Sequence, residues 1–276
     1  MKDNRKTALV TGACVNTGVA IVEKLAKEGY NVVFTGRNAE SVKEKEAYYK
    51  QKFPDAQRVY FNSLADMIIA LEQGKIDCYI EDGPFVTALV WEDVDLEPLD
   101  EAVRGVENGF VFPQGKNEDL RNQVNEFLAG AKADGTVDRL KEKWMGAAEP
   151  EEHPDYKSLK GENGTIRLAV STDGKPLLYQ RGDVFTGLEM ELLTMFGQKY
   201  GYAFDLEVVP FESIIAGIAT EKYDMGASTL NITPEREESV DFSDPYATFD
   251  VVAVVKDIGA QKTGKTLADF SDATIG

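Results

Sequence analysis

The stretch that decides the fold is Ile214-Ile-Ala-Gly-Ile-Ala-Thr-Glu-Lys-Tyr-Asp224, because it occurs a second time, one residue shorter, as Ile68-Ile-Ala-Leu-Glu-Gln-Gly-Lys-Ile-Asp77. In both copies a predicted helix leads through a Lys-x-Asp turn into a short strand. Polar residues follow each strand, Ser228-Thr-Leu-Asn231 in one copy and Glu81-Asp82-Gly83 in the other. Open α/β sheets bind ligands at the carboxyl ends of their strands, and clefts between domains favour small-molecule sites. The repeat therefore predicts two α/β lobes that face each other across a ligand-binding cleft.

Outward from this repeat, strands and helices alternate along the chain, which is typical of an α/β fold. Residues 146–163 are polar and contain two prolines, so we interpret them as an exposed linker. The apolar stretches 86–91 and 251–255 have the length of strands, and neither approaches the ~18 residues that span a bilayer. We predict strands at 7–11, 31–35, 58–61, 76–80, 165–170, 204–209 and 223–227. We predict helices from about 19 to 28, at 39–52, at 63–74, at 187–200 and at 211–220, and two more within 117–145. The break between those two is expected near Asp134-Gly135, and Gly201 is expected to end the helix at 187–200.

Composition excludes several classes of function. The chain has 276 residues and carries 30 Lys and Arg against 48 Asp and Glu. The resulting net charge of −18 argues against nucleic acid or an anionic membrane surface as the main partner. Two cysteines, Cys14 and Cys78, exclude a disulfide framework. The single histidine, His153, argues against a Ser-His-Asp triad and a His-rich metal site, so we expect no metal.

The first motif that carries chemistry is Thr11-Gly-Ala-Cys-Val-Asn-Thr-Gly18, between a predicted strand and a predicted helix. Glycines at such a turn allow the backbone to approach a pyrophosphate at the helix N-terminus. Residues 5–56 resemble the start of the short-chain dehydrogenase/reductase family, with Asn16 in place of the middle glycine of the motif. This resemblance implies a Rossmann-like βαβα segment over residues 1–56 and NADP as its cofactor. The candidate cofactor-binding residues are Gly12, Asn16, Gly18 and Arg37, the last of which suits a 2′-phosphate.

The catalytic half of such a reductase is not recognisable. Asn-Asn-Ala-Gly does not occur, and Tyr-x3-Lys occurs twice, at Tyr48/Lys52 in a charged helix and at Tyr156/Lys160 in the predicted linker. Short motifs of this kind recur by chance. An NADP-dependent short-chain reductase therefore remains the alternative function. The main hypothesis requires no catalytic residue and no cofactor.

The second motif is Asn231-Ile-Thr-Pro-Glu-Arg236, followed closely by Val240-Asp-Phe-Ser-Asp-Pro-Tyr246. Together with Asp224, this long pattern resembles the family 3 extracellular solute-binding proteins, the amino-acid-binding class of periplasmic binding proteins. The resemblance spans residues 57–276 and implies a two-lobed, type II periplasmic-binding-protein architecture. Its other segments are 80–84, 133–138, 142–144 and 187–191.

The resemblance also implies roles for individual residues. Arg236 matches the arginine that clamps the α-carboxylate of the ligand, because a planar guanidinium donates two charge-assisted hydrogen bonds. Asn231 and Thr229 are expected to donate to the same carboxylate, and Asp82 matches the acidic residue that receives the α-ammonium from the other lobe. Three glutamates flank Arg236, so a solvated surface ion pair is its alternative role, and a plain turn is the alternative for Asp82. The full set of candidate ligand-binding residues is Arg236, Asp82, Asn231, Thr229, Ser228 and Tyr179.

Some positions depart from the family pattern. In Lys175-Pro-Leu-Leu-Tyr179, Leu177 occupies the position where the family has an aromatic residue, so Tyr179 is the candidate for the aromatic wall of the pocket. Glu191 replaces the usual Asp. The order of the segments also differs. Residues 57–147 resemble the part that comes last in the family, and residues 164–276 resemble the part that comes first. This order is expected from a tandem array or from a circular permutation.

These observations predict five segments. Residues 1–56 form the Rossmann-like segment, and we favour the interpretation that it supplies the strand and helix missing from the following lobe rather than a cofactor site. Residues 57–147 form a lobe that resembles the family's C-terminal lobe, 148–163 a linker, and 164–254 a lobe that resembles its N-terminal lobe. Residues 255–276 form a crossover and the truncated start of the other lobe.

The main hypothesis is a binding protein for a small zwitterion, an amino acid or a similar solute, that closes by hinge motion. Its expected partner is the membrane permease of an ABC-type transporter, or a sensor, and no nucleic acid. A non-binding chimera or fragment is a further alternative. The family implies an extracytoplasmic location. The N-terminus, Met-Lys-Asp-Asn-Arg-Lys, has no apolar region typical of a signal peptide, so the sequence as given predicts a cytoplasmic location instead.

Overall fold

The structure is a computed structural model that describes residues 7–10, 31–34, 64–75, 78–92 and 96–256. The helices are α1 (Leu64–Glu72), α2 (Gly83–Trp91), α3 (Glu118–Ala133), α4 (Thr136–Trp144), α5 (Leu188–Tyr200), α6 (Phe211–Ala219) and α7 (Pro234–Glu237). The strands are β1 (Thr7–Val10), β2 (Asn31–Phe34), β3 (Cys78–Asp82), β4 (Leu96–Asn108), β5 (Val111–Pro113), β6 (Thr165–Val170), β7 (Asp173–Gly174), β8 (Leu178–Arg181), β9 (Val184–Thr186), β10 (Ala203–Val208), β11 (Met225–Gly226), β12 (Val240–Phe242) and β13 (Ala247–Lys256).

The chain divides into two compact units. Unit 1 comprises Met1–Val86, Val94–Arg104 and Val251–Gly276, and unit 2 comprises Thr87–Asp93 and Gly105–Asp250. Strands β4 and β13 each contribute residues to both units. The predicted lobe boundaries at 147 and 164 therefore both fall inside unit 2, because residues 105–147 pack with residues 164–250.

Unit 1 contains two small sheets among the described residues. β1 and β2 pair in parallel with Thr7 opposite Asn31, and the Cα atoms of β1 come within 8 Å of those of β3. The other sheet has the order β3-β13-β4, in which β3 and β13 are antiparallel and Asp82 lies opposite Val251. Helix α1 precedes β3, as the repeated sequence stretch predicts.

Unit 2 is built on a five-stranded sheet with the order β10-β6-β11-β5-β12. β10, β6 and β11 are parallel to one another, and β5 runs antiparallel between β11 and β12. Gly226 of β11 allows β5 to approach closely, because a Cβ atom at this position would lie 2.7 Å from Val111 Cγ2. A cluster of fully or nearly fully buried residues covers this sheet: Val111, Ala169, Ile214, Ile218, Tyr223, Leu230 and Val240.

Helices of unit 2 end where the sequence predicts. Gly135 separates α3 from α4 with a φ of 75°, and Gly201 caps α5 with a φ of 73°. Both conformations are left-handed, which costs glycine little. The carboxylate of Glu191, on α5, accepts hydrogen bonds from Lys143 Nζ and Trp144 Nε1 and so attaches the end of α4 to α5.

One prediction made from the sequence needs correction. The apolar stretch 86–91 belongs to helix α2 rather than to a strand, with Val86 and Leu89 buried three residues apart on one side. The segment 146–163 lies within unit 2 and is exposed or half-buried except at Tyr156, which is buried and whose hydroxyl accepts a hydrogen bond from the Phe185 backbone N–H. The predicted helices near 19–28 and at 39–52 and the strand at 58–61 lie outside the described residues, as does the segment 257–276.

Candidate functional site

The candidate site in unit 2 is built around one loop, residues 227–233, which we call the clamp loop. It leaves the sheet after β11, next to the end of the parallel strand β6. The carboxyl ends of parallel strands are the ligand-binding edge of an open α/β sheet. Four of the six predicted ligand-binding residues lie on this loop or on the short helix α7 that follows it.

Ser228 ties the clamp loop to the end of β6. Its hydroxyl accepts a hydrogen bond from the Ser171 backbone N–H at 2.8 Å and lies 2.9 Å from the Ser171 hydroxyl. Ser228 is fully buried, and Ser171 is 1% exposed. The Ser228 side chain therefore holds two neighbouring strand ends together in this structure, as buried hydroxyls with satisfied hydrogen bonds do.

Thr229 has a left-handed backbone conformation with a φ of 54°, which is unusual for a β-branched residue. Its hydroxyl donates to the Ser228 carbonyl oxygen at 2.6 Å, and its backbone N–H donates to Glu189 Oε1 at 2.9 Å. Gly174 of β7 leaves room for this residue, because a Cβ atom there would lie 3.1 Å from Thr229 Cγ2.

Asn231 connects the clamp loop to the end of β4. Its Oδ1 accepts a hydrogen bond from Asn108 Nδ2 at 2.9 Å, and the two residues also form an isolated antiparallel bridge. The Ile232 backbone N–H donates to the Glu107 carbonyl oxygen at 2.8 Å, which secures the same contact. Since the Asn231 oxygen is used as an acceptor here, the other end of its amide is a hydrogen-bond donor, as recognition of an anion requires.

Arg236 lies on α7, the short helix that Thr233 caps through a hydrogen bond from the Arg236 backbone N–H. Its Nη1 donates to the Asn231 carbonyl oxygen at 2.7 Å, and its guanidinium carbon lies 5.6 Å from the centre of the Phe211 ring. The side chain is half-buried. Arg236 is thus directed towards the clamp loop, and a cation above an aromatic ring gains electrostatic stabilisation there.

The remaining predicted ligand residues lie elsewhere. Tyr179 is on β8, 5% exposed, and its hydroxyl donates to Glu149 Oε1 at 2.7 Å. Burial, the hydrogen bond and the charge of Glu149 all raise the pKa of Tyr179. The hydroxyl of Tyr179 thus attaches the segment after α4 to β8. Asp82 is the last residue of β3 in unit 1, half-buried, with its backbone N–H 3.0 Å from Glu81 Oε1. The four candidate cofactor residues, Gly12, Asn16, Gly18 and Arg37, lie outside the described residues.

Sequence reasoning missed three residues that shape this site. Phe211 lies beside Arg236, and it is detectable in the sequence as the aromatic residue that follows a strand and a proline. Glu189 belongs to a segment on which the family resemblance depends, but no local pattern indicates that it contacts Thr229. Asn108 lies 123 residues from its partner Asn231. A contact at that sequence separation has no signal in a single sequence.

The described part of the chain contains no group of three or more His, Cys, Asp or Glu side chains that could hold a metal ion. None of the described helices has both the length and the apolar character needed to cross a membrane.

The family described as bacterial extracellular solute-binding proteins, family 3, matches residues 20–147 and 166–275. The chain belongs to this family. Members share the periplasmic-binding-protein-like α/β fold. The matched range begins at residue 20, so it includes much of the segment that resembles a reductase.

Curated relatives match the chain over part of their length. The arginine-binding extracellular protein ArtP of Bacillus subtilis is 34% identical over 118 residues, 42% of this chain and 45% of the relative. The L-cystine-binding protein TcyA of the same organism is 32% identical over 93 residues, 32% of this chain and 34% of the relative. The chain thus aligns with less than half the length of each of these relatives.

Solved structures of binding proteins are also similar. An ancestral cationic amino acid solute-binding protein is 32% identical, with a TM-score of 0.29 over 31% of this chain and 38% of the other. A probable amino-acid ABC transporter extracellular-binding protein from Bacillus subtilis is 11% identical, with a TM-score of 0.44 over 97% of this chain and 90% of the other.

Proposed function

We propose that this chain is a binding protein, not an enzyme, and that it captures a small zwitterion, an amino acid or a close analogue. The clamp loop and Arg236 receive the α-carboxylate. The observation that carries this proposal is the position of Arg236, whose guanidinium is held between the Asn231 carbonyl oxygen at 2.7 Å and the Phe211 ring. Two fixed contacts restrict the guanidinium, so less entropy is lost when it binds a carboxylate.

The clamp loop supports the same role. Asn231 lies beside that cation, because its carbonyl oxygen accepts a hydrogen bond from Arg236, and the Thr229 hydroxyl would exchange its bond to the Ser228 carbonyl oxygen for one to the ligand. The loop is attached to β6, to β4 and to Glu189 by hydrogen bonds between 2.8 and 3.0 Å. Donors that are fixed before binding favour an anion more than mobile ones do. Ser228 contributes by supporting the loop. In unit 1 we propose Asp82 as the carboxylate that receives the ligand's α-ammonium.

The relatives suggest the ligand class and the partner. One relative is named as arginine-binding and another as L-cystine-binding, and both ligands are amino acids. We propose an amino acid as the ligand, the permease of an ABC transporter or a sensor as the partner, and an extracytoplasmic location. We further propose hinge closure about β4 and β13, because each strand contributes residues to both units.

A panel of the common L-amino acids and L-cystine, screened by thermal shift and followed by calorimetry, tests the proposal. An amino acid present at 100 times its Kd should stabilise the protein by about 2.7 kcal/mol, and NADPH should not. Arg236→Ala should weaken binding by about 2–4 kcal/mol, because the ligand's charge is left without its partner. Arg167→Ala is the matched control: Arg167 pairs with Asp224 at the opposite end of β6. Equal affinities of the two variants, or a response to NADPH alone, would refute the amino-acid site.

For residues 1–56 we propose that they complete unit 1 rather than form a cofactor-binding module, and that the chain has the segment order of a permuted or tandem member. Three observations support this: the family match begins at residue 20, β1 and β2 pair in parallel, and β1 comes within 8 Å of β3. Deleting residues 1–56 should then unfold unit 1 and abolish amino-acid binding. An intact amino-acid affinity after the deletion would show instead that the segment is an appended module.

A further inference from the structure

Glu189 is a buried carboxyl group beside the clamp loop, and the proposed ligand contacts do not include it. It lies in the first turn of α5 and is fully buried. Its Oε1 accepts two hydrogen bonds, from the Thr229 backbone N–H at 2.9 Å and from the Tyr246 hydroxyl at 2.7 Å. Its Oε2 has no hydrogen-bond partner among the described residues. Burying a carboxyl group in this way is costly unless its hydrogen bonds offset the cost, so the bonds that Oε1 accepts are the feature to explain.

The backbone that Glu189 holds is unusual. Ser228 has a φ of 144° and Thr229 a φ of 54°, so two consecutive non-glycine residues have positive φ. Such conformations are retained only where the surroundings determine them. Around Thr229 that role falls to Glu189, because a buried backbone N–H needs an acceptor and the Glu189 carboxylate supplies it.

Glu189 is itself held rigidly. Its backbone N–H donates to the Leu177 carbonyl oxygen at 2.8 Å, and the residues on either side of it, Leu188 and Met190, are fully buried. Tyr246, the other donor to Oε1, packs against Phe110 with ring centres 5.2 Å apart. The carboxyl oxygen therefore has a fixed position, and the length of the Glu189 side chain sets the position of the Thr229 N–H.

We propose that Glu189 is a positioning residue for ligand binding: its carboxyl oxygen fixes the backbone of Thr229 so that Thr229 and Asn231 face the ligand's carboxylate. This inference rests on the proposed function. Glu189 makes no contact with the ligand and acts only through the clamp loop. Its effect depends on the reach and the acceptor oxygen of the side chain, not on its charge.

A purely structural Glu189 would behave differently, and the same helix offers the comparison. Glu191 is two residues further along α5 and also accepts hydrogen bonds, but from Lys143 and Trp144 on α4 rather than from the clamp loop. Variants of Glu191 should lower stability without changing affinity. Variants of Glu189 should change both.

The experiment compares Glu189→Gln, which keeps the length and the acceptor oxygen, with Glu189→Asp, which keeps the charge and withdraws the oxygen by one methylene. Affinity for L-arginine, L-histidine and L-cystine is measured by calorimetry. Glu189→Gln should bind within about threefold of the wild type, and Glu189→Asp should bind at least about tenfold more weakly, the effect of leaving one buried N–H without its acceptor. Glu191→Asp should bind like the wild type.

A second measurement does not depend on any ligand. Amide hydrogen exchange of the ligand-free protein should show a slow Thr229 amide in the wild type and in Glu189→Gln, and a faster one in Glu189→Asp. If none of the probes binds to the wild type, the proposed function fails, while the exchange rates still decide the role of Glu189. Wild-type affinity in Glu189→Asp, equal losses in the Asp variants at 189 and 191, weak binding by Glu189→Gln, or an unchanged Thr229 exchange rate would each overturn the proposal.

Discussion

The indole Nε1 of Trp144 donates a hydrogen bond to Glu191 Oε2 at 2.7 Å, and this bond joins two segments that the sequence analysis identified separately. Trp144 ends α4 and is fully buried, whereas Glu191 lies on α5 with its side chain 22% exposed. Lys143 pairs with the same carboxylate at 2.9 Å. The Lys-Trp pair and the acidic segment 187–191 therefore form one structural connection within unit 2.

Trp144→Phe should lower the free energy of unfolding by about 2–4 kcal/mol, because it removes a hydrogen bond to a charged group and leaves a cavity. Trp91→Phe is the control. The Trp91 indole donates to the Gly146 carbonyl oxygen at 2.7 Å, but Trp91 is only half-buried. Trp91→Phe should lower the free energy of unfolding by about 1 kcal/mol. Urea denaturation measures the free energy of unfolding of both variants. Equal losses would show that the Trp144–Glu191 bond stabilises the protein no more than the Trp91–Gly146 bond does.

Gly187 is required at the start of α5. Its φ is 111°, and a Cβ atom at this position would lie 2.3 Å from the Leu177 carbonyl oxygen. Gly187→Ala should therefore destabilise unit 2 by about 3 kcal/mol or more, since a backbone clash adds to the conformational strain. Gly182, with a φ of 63° and no atom near the Cβ position, is the matched control. Gly182→Ala should cost about 1 kcal/mol. Thermal unfolding of the two variants tests the difference.

Glu189 should make stability depend on pH. Burial raises the pKa of Glu189 from 4.5 to about 7, against the Tyr246 hydroxyl and the backbone of the clamp loop, which lower it. The folded state therefore binds the proton more tightly than the unfolded state. The stabilisation is complete below about pH 4.5 and is lost as the pH rises to about 7. Tyr246, the titratable side chain in contact with Glu189, has a pKa raised by burial and by the charge of Glu189, so it stays neutral over this range.

Glu189→Gln should remove this dependence. Relative to this variant, the wild type should lose up to about 3 kcal/mol of stability between pH 4.5 and 7, and the difference should be constant at higher pH. Urea unfolding at a series of pH values measures it. A difference between the two proteins that does not change with pH would contradict the raised pKa.

Ser228→Ala should destabilise unit 2 by about 1–3 kcal/mol, because the Ser171 backbone N–H would lose its acceptor in a buried site. Ser213, exposed on α6, provides the control, and Ser213→Ala should change stability by less than about 0.5 kcal/mol. Denaturant unfolding of both variants decides whether Ser228 supports the loop. A neutral Ser228→Ala variant with reduced amino-acid affinity would assign its hydroxyl to the ligand instead.

Local patterns predicted much of unit 2. The Asp134-Gly135 break between α3 and α4, the Gly201 stop of α5 and the strand β6 all lie where glycines and apolar periodicity indicated. These features depend on residues within one or two turns, so a single sequence contains their signal. The secondary structure of the apolar run 86–91 is harder to predict, because a short apolar run fits a buried strand and a buried helix equally well until its packing partners are known.

By itself, the sequence determined the family, the α/β class and the residues Asn231, Thr229 and Arg236 as parts of one motif, because their spacing along the chain is short and specific. Only the tertiary structure decided what holds that motif in place. Asn108 meets Asn231, Glu189 meets Thr229, and Ser171 meets Ser228 across 40 to 123 residues of sequence. Each of these contacts forms because β4, α5 and β6 pack beside the clamp loop. The pairing of polar groups that are so far apart in the sequence follows from the packing of whole helices and strands, so no local pattern of residues predicts it.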